Sequence, residues 1–448
     1  MLRTFVFLVA LVLMYGTDAY GQLVLRGHQS PVAWADYSPD GTLLLTAGYD
    51  GVAKLWNPET GENIRTLEGH QARLVLALFS PDGSRVMTVG DDPEIRVWNP
   101  ENGELIARIP GTSRIRNASF SPDGTKIVGG VWDSTVRVWN ASTGAEEQVL
   151  RGHTTERINW VAFSPDGSTI ASAGHDSTVI LWDAGTGALL HRLRGHTDKV
   201  NTLAFSPDGK TLLSAGFEGL GIIWDVETGA EIVRLEGHSQ RIRSVDYSSD
   251  GKLIVTASFD MDARIWDAAT GETLHVLDQH LGRLREVAFG PDDRLVVTAS
   301  EDGSAGVWRV ATGQGVFPLF GHTDKLFVAR FSPDGDHVVT TSYDSTARVW
   351  DITEVSGVED MSAERADLEW TVEPNPASTT FVVRTGSAFP GEASFSLTDL
   401  EGRLIRTFQA IPGLSEYRCD VSGLVPGAYF LRVESHGNIY VEQVRITR

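Results

Sequence analysis

The sequence predicts an all-β protein: eight four-stranded sheets arranged radially, followed by a small β-sandwich. Three observations carry this. Tryptophans recur at Trp56, Trp98, Trp139, Trp182, Trp224, Trp266, Trp308 and Trp350, with gaps of 41 to 43 residues. A Gly-His pair precedes most of them by about 28 residues, as at Gly27-His28, Gly152-His153 and Gly321-His322. Between the two marks lies a Ser-Pro-Asp-Gly turn, as at Ser38–Gly41 and Ser332–Gly335. A fixed period of this length is the signature of stacked supersecondary units, each unable to bury its faces alone.

The chain opens on what reads as an export signal over residues 1–21. Arg3 gives a positive start, Phe5–Met14 is an unbroken apolar run, and Ala19-Tyr20-Gly21 is small-residue in character. Ten helical residues span about 15 Å, too short for a bilayer core of about 30 Å. Cleavage after Gly21 would leave Gln22 first; a buried N-terminal helix is the other reading. The single Cys419 excludes an intramolecular disulfide. With 59 Asp+Glu against 38 Lys+Arg, the net charge of −21 argues against nucleic acid or an anionic membrane meeting the protein as a whole. The basic set is mostly arginine, a fork-shaped donor suited to carboxylate and phosphate.

Within each period the strands are short and the turns frequent, as all-β folds require. In the fifth unit Val200–Phe205 reads as one strand, Ser206-Pro207-Asp208-Gly209 turns it, and Thr211–Ser214, Gly221–Trp224 and Ala230–Leu235 follow. Pro pre-sets φ at the second turn position and Gly supplies positive φ. The eighth unit ends at Trp350-Asp351 without its fourth strand, while Gln22–Arg26 is an orphan strand of the same kind. Placing it on the last unit closes a ring of eight and hides two sheet edges.

These marks resemble the WD-repeat (WD40) family of β-propellers over about Gln22–Asp351. The resemblance implies a buried His, Ser/Thr, Asp and Trp set in each blade. His153, Ser172, Asp176 and Trp182 match it, as do His322, Thr340, Asp344 and Trp350. The fifth unit has Glu218 for Asp, and the third has Thr112 and Gly129 in the His and Ser/Thr places, which implies an incomplete set there. A catalytic role for pairs repeated this evenly is not expected; buried polar groups of this kind fix one arrangement by satisfying each other.

After the ring, residues 352–368 read as an acidic linker. From 369 to 448 a second alternating pattern begins: Thr380–Val383, Ala393–Leu397, Leu404-Ile405, Gly427–Val433 and a closing strand near Tyr440–Ile446. Pro374-Asn375-Pro376, the Asp399…Gly402-Arg403 turn, Leu424…Gly427-Ala428-Tyr429-Phe430 and the Arg445…Arg448 end resemble the C-terminal sorting domain of type IX secretion cargo. That resemblance implies export to the outer surface of a Gram-negative bacterium, with the sorting machinery as a partner; a plain sandwich that binds a ligand of its own is the alternative.

The WD40 resemblance also implies that the Gly-His loops and the buried Asp meet on one face. The column before each first strand reads Pro31, Arg73, Arg114, Arg157, Lys199, Arg241, Arg283, Lys325. Two residues later come Ala33, Val75, Arg116, Asn159, Asn201, Arg243, Arg285, Phe327. The residue before the buried acid reads Tyr49, Asp91, Trp132, His175, Phe217, Phe259, Glu301, Tyr343. A basic, aromatic ring is therefore expected at one mouth, with acidic turns on the opposite face. Such a ring suits an acidic protein patch or an anionic polymer; solvated family-typical arginines are the plainer account. No Gly-x-Ser-x-Gly, His-Glu-x-x-His, phosphate-binding glycine loop or paired Cys ligands occur, so neither cofactor nor metal nor catalysis is expected. The function read from sequence is a non-catalytic surface scaffold; a lectin-like protein and a surface hydrolase, with His175 its one loose candidate, are the alternatives.

Overall fold

The structure is a computed structural model that describes residues 22–353 and, further on, 370–373, 380–385, 393–398, 404–409, 416–425, 427–435 and 438–446. The export signal, most of the linker, Pro374-Asn375-Pro376 and the Asp399–Arg403 turn lie outside the described residues. The chain divides into two compact units, one of them Gln22–Ser356.

That unit is an eight-bladed β-propeller. Blade one is Val32–Tyr37, Leu44–Gly48, Ala53–Trp56 and Asn63–Leu67, in that order across the sheet. The first strands of blades two to eight are Leu74–Phe79, Ile115–Phe120, Ile158–Phe163, Val200–Phe205, Ile242–Tyr247, Leu284–Phe289 and Leu326–Phe331. Blade eight takes three strands from the end of the ring and its fourth from the start: Gln22–Leu25 pairs antiparallel with Ala347–Asp351, Gln22 opposite Trp350. Leu25 is 1% exposed there, so the seam is packed as well as hydrogen-bonded.

Burial follows position in the blade. Thr169–Gly174, a second strand, is buried at every residue because neighbouring blades cover both faces. Leu189–Arg194, the outer strand, keeps one face to solvent. The core runs between blades: Val136, Val138 and Leu150 of blade three pack with Ile158, Phe163, Ile170 and Trp182 of blade four. Each such side chain contributes about 1.5–3 kcal/mol. The Ser-Pro-Asp-Gly turns are self-contained. The Ser38 hydroxyl donates to Asp40 (2.6 Å) and accepts from the Leu43 amide (2.9 Å), while Gly41 adopts φ 72°. Ile352, read from sequence as the first linker residue, is fully buried, and its amide donates to the Asp336 carbonyl at 2.8 Å. Ala184 and Val226 make the same bond in blades four and five, so blade eight runs one residue further than its tryptophan motif.

In the C-terminal unit, Trp370–Glu373, Thr380–Thr385 and Glu416–Asp420 form one sheet. Leu404–Gln409, Ala393–Thr398, Gly427–Ser435 and Asn438–Ile446 form the other. Phe381, Val383, Tyr417 and Cys419 of the first share a core with Phe395, Leu397, Leu431 and Val444 of the second. The Glu416–Asp420 strand is one the sequence reading passed over; its alternation of exposed and buried residues is regular. Among the described residues no helix is long and apolar enough to cross a membrane.

Candidate binding face on the propeller rim

The repeated polar set is assembled as a relay in each blade that carries it. In blade four the Trp182 indole N–H donates to Ser172 Oγ (2.9 Å), Ser172 lies 2.9 Å from His153 Nε2, and His153 Nδ1 lies 3.0 Å from Asp176. Asp176 also accepts from the Thr154 amide at 2.8 Å. These bonds hold its carboxyl well below the usual range despite burial, which acts in the opposite direction. Blade eight repeats the set through Trp350, Thr340, His322 and Asp344. In blade five Glu218 reaches His196 at 2.7 Å, but its second oxygen is buried without a partner. Blade three replaces the set. Thr112 bonds Asp133, Arg137 bonds Asp133 (2.8 Å) and Glu146 (2.6 Å), and Trp139 lies against Gly129.

The same loops build the rim. In all eight blades the residue before the buried acid donates its amide to the carbonyl of the residue before the first strand: Tyr49 to Pro31, Trp132 to Arg114, Phe217 to Lys199 and so on to Tyr343 and Lys325. The basic and aromatic columns are thereby held side by side. Cations and rings alternate around the mouth across blade boundaries. Trp132 lies between Arg114 (4.6 Å) and Arg157 (4.5 Å). Phe217 lies between Lys199 (5.4 Å) and Arg241 (5.0 Å), and Phe259 between Arg241 (3.7 Å) and Arg283 (5.1 Å). Desolvated contacts of this kind are worth about 2 kcal/mol, exposed ones about 0.5–1.

The ring is not uniformly basic, as the columns suggested. Asp91 pairs with both Arg73 and Arg114, and Glu301 with Arg285 (2.6 Å) and Lys325 (3.1 Å). Among the described residues Arg157, Lys199, Arg241 and Arg283 have no carboxylate partner, so on the outer rim the unpaired basic residues of the first column form an arc over blades four to seven. Tyr343 and Tyr49 do not stand open either: Tyr343 stacks on Phe327 at 4.2 Å, and Tyr49 meets both edge-on. His175 sits in the arc against Phe217 at 6.3 Å, and burial together with Lys199 and Arg157 lowers its pKa.

The second column is displaced from the rim by a feature not read from sequence. In every blade the pairing of first and second strands slips at that residue, between Ile115 and Asn117, between Ile242 and Ser244, and at the same place in the others. Each is a β-bulge, which re-aims the extra residue. Arg116, Arg243 and Arg285 therefore line the channel neck and not the outer rim. Below them the channel widens into a cavity of about 450 Å³ lined by Asp36, Asp246, Glu286 and Arg330 among others. Arg330 donates to Glu286 at 2.8 and 2.9 Å, and burial raises Asp36 and Asp246 to about 6.

Residues 21–57, 61–99, 103–140, 144–183, 187–225, 229–267, 271–309 and 313–351 match the WD domain, G-beta repeat family. The chain belongs to the WD40-repeat family. Each matched segment begins with the outer strand of the preceding blade, the offset that closes the ring at Gln22–Leu25. Residues 371–447 match the secretion system C-terminal sorting domain. That domain sends this WD40 protein by type IX secretion to the cell surface or extracellular space. The crystal structure of the computationally designed Ika8 protein is similar, with a TM-score of 0.67 and 27% identity over 73% of this chain and 98% of that one. A 41-residue stretch is 49% identical to Ribosome assembly protein 4 of Chaetomium thermophilum; it spans 9% of this chain and 8% of that protein.

Proposed function

We propose that this exported WD40 protein is a non-catalytic scaffold whose rim arc holds an acidic segment of a partner protein. The observation that carries the reading is the run of Arg157, Lys199, Arg241 and Arg283, stacked on Trp132, Phe217 and Phe259 and unneutralised. The rings hold the guanidinium and ammonium groups in place, so less side-chain freedom is lost on binding. Asp91 and Glu301 bound the arc on either side, which restricts an acidic segment to one sector of the mouth. WD40 propellers are generally non-catalytic, and the paired His and Asp side chains are consumed in blade structure. An anionic polymer is the second reading, favoured by the same unneutralised run of forked donors, which also suits carboxylate or sulfate groups repeated along a chain.

The test is capture of surface and extracellular proteins on the mature chain. Arg241→Glu with Arg283→Glu should abolish specific capture, and rising salt should weaken it steeply, since the contacts are exposed charges. Capture that survives both would refute the arc. Retention of an acidic polysaccharide, and not of protein, on the same matrix would establish the polymer reading.

A further inference from the structure

The channel neck beneath the rim carries a second feature. Arg116 comes from blade three, Arg243 from blade six and Arg285 from blade seven, so the first faces the other two across the axis. All three are bulge residues, turned inward by the same slip of register. They line a space of about 80 Å³ whose walls include Trp34, Trp160 and Phe327. Arg285 is paired with Glu301; Glu286, which acts on Arg243, is engaged by Arg330, and Asp91, which acts on Arg116, is engaged by Arg73 and Arg114. Among the described residues Arg116 and Arg243 make neither a hydrogen bond nor an ion pair. Two guanidinium groups turned into one narrow neck, where the carboxylates near them are already paired with other arginines, are a costly arrangement. The strain shows in Arg243, whose pKa burial and the neighbouring Arg116 and Arg285 push down to about 9.

We infer that the neck is a binding site for one small oxyanion, a phosphate, sulfate or carboxylate group, held between Arg116 and Arg243. The donors are forked and planar, which matches oxyanion geometry. Aromatic walls lower the local polarizability around the charges relative to open water and so strengthen the charge–charge term. The site stands apart from the rim reading: it requires no macromolecular partner. The occupant's source is either a free inorganic anion or a carboxylate that enters from the mouth.

The experiment is calorimetric titration of the mature full chain with inorganic phosphate at low ionic strength and constant chloride, with a hexaglutamate peptide as a parallel arm. Expected is saturable one-to-one phosphate binding that also raises the unfolding midpoint. Arg116→Met and Arg243→Met should each weaken it at least tenfold. Both variants should fold with midpoints equal to or above that of the parent without phosphate, because a repulsive charge has gone. Lys210→Gln, at an exposed turn outside both the rim arc and the neck, should change phosphate affinity less than threefold. Peptide binding that is lost in the neck variants assigns the site to a partner's carboxylate; peptide binding indifferent to them assigns it to a free anion. Absence of saturable phosphate binding, or equal affinity in Arg243→Met, overturns the inference.

Discussion

Asp246 is held in the channel with its carboxylate accepting from the Phe289 amide (2.9 Å) and the Tyr247 amide (3.0 Å). Burial nonetheless raises its pKa from 3.8 to about 6, and Glu286 adds to the rise. A folded-state pKa above the unfolded one means the folded protein binds the extra proton between about pH 4 and 6. Stability is therefore lost as pH rises through that window, and stays lost above it. A rise of about two units corresponds to about 3 kcal/mol. Asp246→Asn removes the charge and keeps an amide oxygen to accept one of the two backbone bonds. After loss of the other bond, about 1 kcal/mol, the variant should be more stable by about 1–2 kcal/mol at pH 8. At pH 4, where the parent carboxyl is already protonated, the gain should vanish. Urea unfolding followed by tryptophan fluorescence at the two pH values measures both. A variant less stable at pH 8, or one equally stabilised at pH 4, would refute the burial argument.

Ser172→Ala leaves the Trp182 N–H and His153 Nε2 buried without partners; at about 1–3 kcal/mol for each orphaned group, unfolding free energy should fall by about 2–6 kcal/mol in the same urea assay. Gly129→Ser restores the family residue in blade three yet should destabilise by about 1–3 kcal/mol, because a Cβ there would lie 2.7 Å from Trp139; a rise in stability would show that the ring can retreat. Deleting residues 22–26 uncovers the Ala347–Asp351 edge, so sedimentation should report self-association together with a lowered urea midpoint. Cys419, 1% exposed and pushed up to about 12 by burial, should resist iodoacetamide until the C-terminal unit unfolds; prompt alkylation at pH 8 would contradict its place in the core.

The ring was legible because its marks recur at a fixed period: an indole in all eight units, a buried relay in seven and a Ser-Pro-Asp-Gly turn in six. Even the seam at Gln22–Leu25 followed, from one strand lacking at the end and one spare at the start. The rim was legible as a set of columns but not as a charge distribution. Asp91 and Glu301 stand in the aromatic column, and which cations they reach depends on side-chain paths between blades. The bulge at Arg116, Arg243 and Arg285 left no trace, since one slipped residue alters no residue type and any side chain tolerates it. The channel carboxylates were passed over because Asp36, Asp246 and Glu286 sit at positions that other blades fill with Leu78, Ala162 or Val328. In the C-terminal unit, Glu416–Asp420 alternates correctly but carries charge at every outward position, and it was overshadowed by more apolar neighbours.

The seam has a consequence for the order of events. The strand that finishes blade eight is made first and its partner last, so the ring cannot lock until the whole propeller sequence is present. Joining segments so distant in the chain is entropically slow. The same seam makes the starting point of the ring arbitrary. A circularly permuted chain that begins at the outer strand of any other blade should close equally well, with its new ends joined by that blade's own clasp.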